Sequence, residues 1–561
     1  MKTIQKYSDR TLAVAAFLLL TTQLASAQAP QPPQSQTGFF EEFGTMWTFD
    51  APPLDYWERT YDFRPTQDWL DHVRLASVRL PGCSSSFVSK DGLVMTNHHC
   101  ARGCITAVSP PDTSYQETGF VASSMADEKK CPGVYVDQLQ SIEDVTARIR
   151  GSVTATDAEG QVAQRDSVIQ AVTAECRDAT GLNCQVVTLY QGGMYSLYRY
   201  ERFDDVRLVM APEGQAAFFG GDPDNFTYPR YDLDLTLLRV YVDGQPRQTD
   251  HYLRWSDNGA AENELVFITG NPGSTGRLLT LAQMEYLRDV QYPAQLAGYQ
   301  RQLGVLQRIA ARSEEDRRRT ENQIFGVENS YKATSGYLSG LLDEDRMGRK
   351  AVFEGDFRRR IDADPDLKAK YGGAWDAIAK SQAELAAFAV QSRYYGFGGS
   401  QILGVAGTLV RLPEQKALPD SLRTPAFRSD RLERLQSQLT AEMSIDIELE
   451  EMNLIAQLQA AQAELPAGDP FLKAVLAGRT PEAAAHALIE GSRLTDPSVR
   501  QLLMEGGAAA IAASDDPMIV AARAINPLAA QVAARAAPLN AAISANAELV
   551  GQAIFAAYGH S

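Results

Sequence analysis

The sequence has 561 residues, 44% of them hydrophobic and 22% charged, with a formal net charge of −17. That length exceeds what one hydrophobic core usually serves, so two large units are expected. An acidic surface of this size repels phosphate backbones and anionic lipid, which sets nucleic-acid partners aside.

Residues 1–27 carry Lys2, Lys6 and Arg10 ahead of the apolar run LAVAAFLLL and close on Ala25-Ser26-Ala27. This is the layout of a secretory signal peptide cleaved after Ala27. Its removal takes away those three cations and Asp9 and brings the charge from −17 to −19. No later stretch offers about 18 uninterrupted apolar residues, so no membrane span is expected and the protein should be periplasmic or secreted. The Pro/Gln-rich residues 28–38 read as a disordered lead-in.

From 39 to 276 short β-rich runs alternate with turn residues, the pattern of a barrel or sandwich. In SFVSKDGLVMTNHHC, Asp91-Gly92 is a hairpin turn signal, Leu93-Val94-Met95 reads as a buried strand, and His99 stands at its end with Cys100 behind it. That is how a chymotrypsin-like barrel presents its general base. Farther on, RYDLDLTLLRVY places Asp234 among Leu233, Leu235, Leu237 and Leu238, in what reads as an apolar strand. An unpaired ionised carboxylate there would be costly, so an imidazole N–H is the expected partner. His99 followed by Asp234 gives the His, Asp, Ser chain order of chymotrypsin-type proteases. His98 is the competing choice of base, and a plainer reading makes both histidines packing or hydrogen-bonding residues. A hairpin is expected around Gly192-Gly193, and SIEDVTARI and DSVIQAVTAECRD read as an interrupted helical stretch near 140–178.

Six cysteines, at 83, 100, 104, 131, 176 and 184, form an even set in an exported chain and read as disulfides. The expected pairs are Cys83 with Cys100, across the hairpin, Cys104 with Cys131, and Cys176 with Cys184, around the short loop DATGLN. Zinc is the rival reading, but no Cys-x-x-Cys or His-x-x-x-His spacing supports it, and no metal or organic cofactor is expected.

After GNPGSTGR the composition turns to Ala, Leu, Gln, Glu and Arg, so 277–561 reads as a large all-α part built of long amphipathic helices such as YQRQLGVLQRIAARSEEDRRRTENQ. The fold class is thus α+β, a β-barrel followed by a helical domain.

The segments GCSSSFVSKDGLVMTNHHC, FFGGDPDNFTYPRYDLDLTLLRVY, FITGNPGSTGR and ENSYKATSGYLSGL resemble the family S46 dipeptidyl-peptidases, exported bacterial serine exopeptidases. The resemblance implies a double β-barrel catalytic domain interrupted by a helical domain. It places the general base on His99 and the orienting acid on Asp234, and it implies oligopeptide substrates with a free N-terminus and a possible homodimer. Asn225 matches the position that holds the substrate's ammonium, Phe226 stands where many members have tryptophan, and Asn329 matches an asparagine reaching in from the helical domain. By residues alone Asn225 could equally be an Asx-turn residue. The family's nucleophile loop, of the Gly-Asn-Ser-Gly-Ser-Pro type, does not occur in the sequence. In GNPGS, Pro272 stands where the nucleophile would sit and lacks a backbone N–H, so Ser274 is not expected to act. Ser335, Ser339 and Ser400 read as ordinary turn or helix-surface residues. The expectation is therefore an inactive N-terminal portion of a dipeptidyl-peptidase, ending before the second barrel. The alternative is a non-catalytic protein that binds peptide N-termini or acts as a helical interaction module.

Overall fold

A computed structural model describes residues 46–558, apart from 218–230 and the single positions 274, 397, 421, 422 and 444. The leader 1–27, the lead-in 28–38, Asn225, Phe226 and Ser274 lie outside the described residues. Phe49–Ser561 form one compact unit.

Among the described residues eleven strands make one sheet: β1 (Ser77–Leu80), β2 (Cys83–Phe87), β3 (Leu93–Thr96), β4 (Phe120–Val121), β5 (Lys129–Lys130), β6 (Val136–Asp144), β7 (Asn183–Leu189), β8 (Met194–Phe203), β9 (Asp205–Ala211), β10 (Thr236–Val242) and β11 (Gln245–Pro246). The order is β4-β9-β10-β3-β2-β1-β6-β8-β7, with β5 on β9 and β11 on β10, and the described pairs are antiparallel. One residue, Asp204, separates β8 from β9. Starting from β9 and passing through β10, β3, β2, β1 and β6, the path returns to β8, so the chain itself joins its two ends. Val78, Phe87, Val94, Val136, Val206, Leu208, Leu238 and Val240 from these strands form one buried cluster, completed by Ala101 and Ile105 from a helix.

Local chemistry explains the turns. The β2–β3 connection is longer than a two-residue turn: Val88 still donates to Leu93, and the Ser89 hydroxyl accepts the N–H groups of Asp91 and Leu93. Gly92 has φ of +69°, and a Cβ there would sit 2.8 Å from the Arg247 carbonyl oxygen. The β7–β8 turn falls at Tyr190–Gly193, around the two expected glycines. Ser141–Asp144 depart from the helical reading: they belong to β6 and pair with β8. Helix spacing over so few residues gives way to a partner strand already in place.

The helices that matter to the site and its support are α1 (His98–Val108), α2 (Ala158–Thr180), α3 (Tyr292–Ala310), α4 (Glu314–Leu342), α5 (Glu344–Asp362), α6 (Gln401–Ala417), α7 (Ile447–Glu464) and α8 (Pro517–Tyr558). The expected long helix over 299–323 breaks between α3 and α4, where Ser313 caps α4 by accepting the Asp316 N–H. Asp446 caps α7 in the same way through Leu449, splitting a second long stretch. A π-helical turn over Leu287–Gln291 leads into α3, whose Pro293 cannot supply an i→i−4 donor. The helical core is built from α6, α7, α8 and their neighbours, including Leu403, Leu409, Leu454, Leu458, Ile519 and Ile525.

The long α8 returns to the sheet and packs on the β7–β8 turn. Gly551 lies so close to the turn that a Cβ would fall on the Tyr190 carbonyl oxygen, and the Tyr190 and Phe555 rings meet at 4.9 Å. Glu548 accepts the Tyr195 hydroxyl at 3.1 Å and faces Arg150 at 3.6 Å and Arg165 at 3.5 Å. Strands and helices therefore share one body, with no break at 276/277. No described helix is long and apolar enough to cross a membrane.

Candidate active site

The site is assembled where β3 ends. Thr96 closes β3, Asn97 is the N-cap of α1, and His98 and His99 occupy the first two helical positions. Successive helical residues lie about 100° apart, so the two histidines face different ways. His98 points inward and is 1% exposed, with its ring nitrogens unbonded among the described residues; burial pushes its imidazole below the usual range. His99 points outward, with its side chain 51% exposed.

Asp234 meets His99 twice. Its Oδ2 lies 2.8 Å from His99 Nδ1, and its Oδ1 accepts the His99 backbone N–H at 3.1 Å. The Asn97 side-chain amide adds donations to Oδ2 at 3.0 Å and to the Asp234 carbonyl at 3.2 Å. Burial opposes ionisation of this carboxyl, but the hydrogen bonds from the His99 ring and backbone and from Asn97 outweigh it and hold the carboxyl below the ordinary carboxylate range. Because the carboxylate also sits at the N-terminus of α1, the helix dipole favours its charge. Asp234 departs from the expected strand position: it stands two residues before β10, next to an exposed Leu233. The Leu-rich pattern read as strand throughout, yet neither Leu233 nor Leu235 joins the ladder: Leu233 donates to Ala216 and Leu235 to Leu233. The irregular segment leaves the carboxylate free of sheet geometry to reach across to α1.

Disulfides hold this corner. Cys83 of β2 is joined to Cys100, the residue after His99, with Cα atoms 6.1 Å apart; Cys104 joins Cys131, and Cys176 joins Cys184. The sulfurs of Cys83 and Cys100 lie within 4.8 Å of the His99 ring, but as a disulfide they are not metal ligands. Across β2, Ser84 Oγ accepts the Asn271 N–H at 2.7 Å, and the Thr96 hydroxyl donates to the Ser84 carbonyl. The GNPG loop is thereby laid beside the strand that carries Cys83.

Asn329 is half-buried on α4. Two turns earlier on the same face stands Asn322, whose side-chain oxygen accepts from Arg102 of α1. The seven-residue spacing puts Asn329 about 10 Å farther along α4. Ser400 caps α6 and donates to the buried Glu450 at 2.6 Å. Sequence reasoning missed Asn97 and the Arg102–Asn322 contact. Asn97 had a local signal, an N-cap residue type directly before the paired histidines. The second contact had none, because 220 residues separate its partners.

A family model described as Peptidase S46 matches residues 41–561. The chain belongs to this family. Among curated relatives, this S46 chain is 27% identical over 529 residues to an Asp/Glu-specific dipeptidyl-peptidase of Shewanella putrefaciens, covering 91% of this chain and 70% of that one. It is 26% identical to an Asp/Glu-specific dipeptidyl-peptidase of Flavobacterium psychrophilum, covering 77% and 62%. A dipeptidyl-peptidase 7 of Porphyromonas endodontalis is 29% identical over 340 residues, 58% of this chain and 41% of the relative. The chain thus spans between about two fifths and seven tenths of these relatives' lengths. The crystal structure of Porphyromonas endodontalis DPP11 in complex with the dipeptide Arg-Glu has a similar fold, with a TM-score of 0.68 at 19% identity over 97% of this chain and 76% of that one.

Proposed function

We propose that the S46 chain carries the proton-transfer half of a serine dipeptidyl-peptidase site, with His99 as general base and Asp234 as its orienting acid. The observation that carries this reading is the 2.8 Å contact between His99 Nδ1 and Asp234 Oδ2 on an imidazole whose side chain is half exposed. An ionised carboxylate is acceptor-only, so the neutral ring carries its proton on Nδ1 and Nε2 is the basic position. In the reaction, Nε2 takes the proton of a serine hydroxyl as the oxygen attacks the carbonyl of the second peptide bond. The same proton then passes to the departing amine, and Asp234 stabilises the imidazolium in between.

The joined ends of the strand path support a chymotrypsin-like barrel as the scaffold, and the dipeptidyl-peptidase names of the relatives support oligopeptides with a free N-terminus as substrates. In this reading Asn225, Phe226 and Asn329 anchor the substrate's amine end. The signal-like residues 1–27 support export. The family's nucleophile loop is not found in the sequence, so the reading gives the nucleophile to a segment outside it.

The test compares this chain with the product of the full reading frame, scoring dipeptide release from an unblocked oligopeptide and fluorophosphonate labelling of serine. The full product should do both, and His99→Ala should lower release by about three orders of magnitude or more; this chain alone should do neither. Release that survives His99→Ala would sink the assignment. Peptide binding through the free amine, with no release by either protein, would favour the non-catalytic reading.

A further inference from the structure

A cavity of about 1140 Å³ opens between α3, α4, the Gly398–Gln401 segment and α7, in the helical part. Six carboxamide side chains line it: Gln295, Gln302, Gln323, Gln401, Asn453 and Gln457. None makes a side-chain hydrogen bond to another described residue. The charged groups on the wall are two cations and two anions, and each is already engaged. Arg319 pairs with Asp446 at 3.0 Å, Arg301 faces Glu464 at 3.9 Å, and Glu450 accepts from the Ser400 hydroxyl and the Ile402 N–H. Gly398 and Gly399 let α7 approach closely: Gly399 has φ of +90°, and a Cβ there would meet the Gln457 side chain at 2.6 Å.

Among the described lining residues such a cavity offers a ligand neutral groups that both donate and accept, and each charge on the wall faces an opposite charge or a donor. A carboxamide presents N–H and C=O side by side, which is the complement of the N–H and C=O of one residue in an extended chain, since those two groups point to the same side. Six of them in one cleft can hold a main chain whose side chains carry no charge. A sugar would seek ring faces to stack on, and Tyr299 is the one aromatic among the described lining residues. We propose that this cavity is a second peptide-binding site, which holds the main chain of an extended, uncharged peptide segment independently of a free N-terminus. Gln323 adjoins Asn322, the residue that Arg102 of α1 contacts, so α4 is common to the cavity and to the His99 corner.

The experiment is calorimetric titration of the chain with acetyl-Gly-Ser-Ala-Gly-Ser-Ala-amide, whose blocked ends cannot use an amine-anchoring site. Binding is expected, unchanged in His99→Ala, and weakened at least tenfold in the double variant Gln302→Glu, Asn453→Asp. That variant keeps side-chain volume while removing donors and adding charge. Gln323→Glu, at an exposed position, gives an independent reading if the double variant does not fold, and circular dichroism reports folding of each. No binding at millimolar peptide, equal affinity in the folded variants, or binding of maltohexaose in place of the peptide would each overturn the proposal.

Discussion

At the residue scale, Asp234 governs both the backbone and the ring of His99, so it is structural and chemical at once. Replacing it with alanine leaves a helix N–H, an imidazole N–H and the Asn97 amide without their acceptor. We expect a loss of about 1–3 kcal/mol, read by urea denaturation. Asp234→Asn keeps the shape but turns a donor toward Nδ1, which favours the wrong tautomer. Under the proposed function, kcat for dipeptide release is expected to fall by about four orders of magnitude with little change in KM. The pH dependence has a definite sign. Because the folded carboxyl titrates below its ordinary value of about 4, its share of stability is complete above that pH and is lost as the pH falls through the depressed folded value. Denaturation midpoints measured between neutral and acid pH should show a shallower acid decline in Asp234→Asn than in the native chain.

At the scale of elements, two joints fix the geometry. The Cys83–Cys100 bridge ties β2 to the first turn of α1 across 17 residues, and its removal in Cys83→Ser, Cys100→Ser should cost about 2–4 kcal/mol in thermal or chemical unfolding. The second joint is α8 against the β7–β8 turn. Gly551 is the contact point because its missing Cβ is what lets the Tyr190 carbonyl approach. Gly551→Ala is expected to destabilise by about 1–3 kcal/mol through forced separation of helix and turn, and Gly551→Leu by more. Equal stability of the glycine and alanine proteins would show that the helix can shift without loss.

At the scale of the molecule, the passage from strands to helices is held by α5. Lys350 is buried, with 5% exposure, and donates to the Arg277 carbonyl at 3.3 Å, while Glu354 on the next turn accepts the Leu281 N–H at 2.7 Å. Burial pulls the Lys350 ammonium down to about 8, partly opposed by Glu354. An unfolded lysine titrates near 10.4, so between about pH 8 and that value the unfolded chain holds the extra proton. Stability contributed at this position therefore rises with pH across that window. Lys350→Met should remove this share, so the stability difference between native and Lys350→Met proteins should grow with pH across that window, and a difference independent of pH would refute the assignment.

The sequence by itself determined what depends on neighbours in the chain. The turn at Gly92, the turn around Gly192-Gly193 and the switch from strands to helices near GNPGSTGR were legible because glycine conformation, alternation and helix spacing are local properties. The apolar setting of Asp234 called for a partner for its carboxylate, and the place of His99 directly before Cys100, with the family resemblance, pointed to His99 over His98. Tertiary structure decided the rest. Ser141–Asp144 became strand because β8 offered a ladder, and Asp234 left the strand where Leu233 bonds to Ala216, 17 positions away, and Leu235 turns back on Leu233. Which histidine faces Asp234 was fixed by the rotation of α1, and Asn97 and Arg102 acquired their roles from residues 137 and 220 positions away. Contacts at such distances are set by how whole elements pack, and no local pattern encodes that packing.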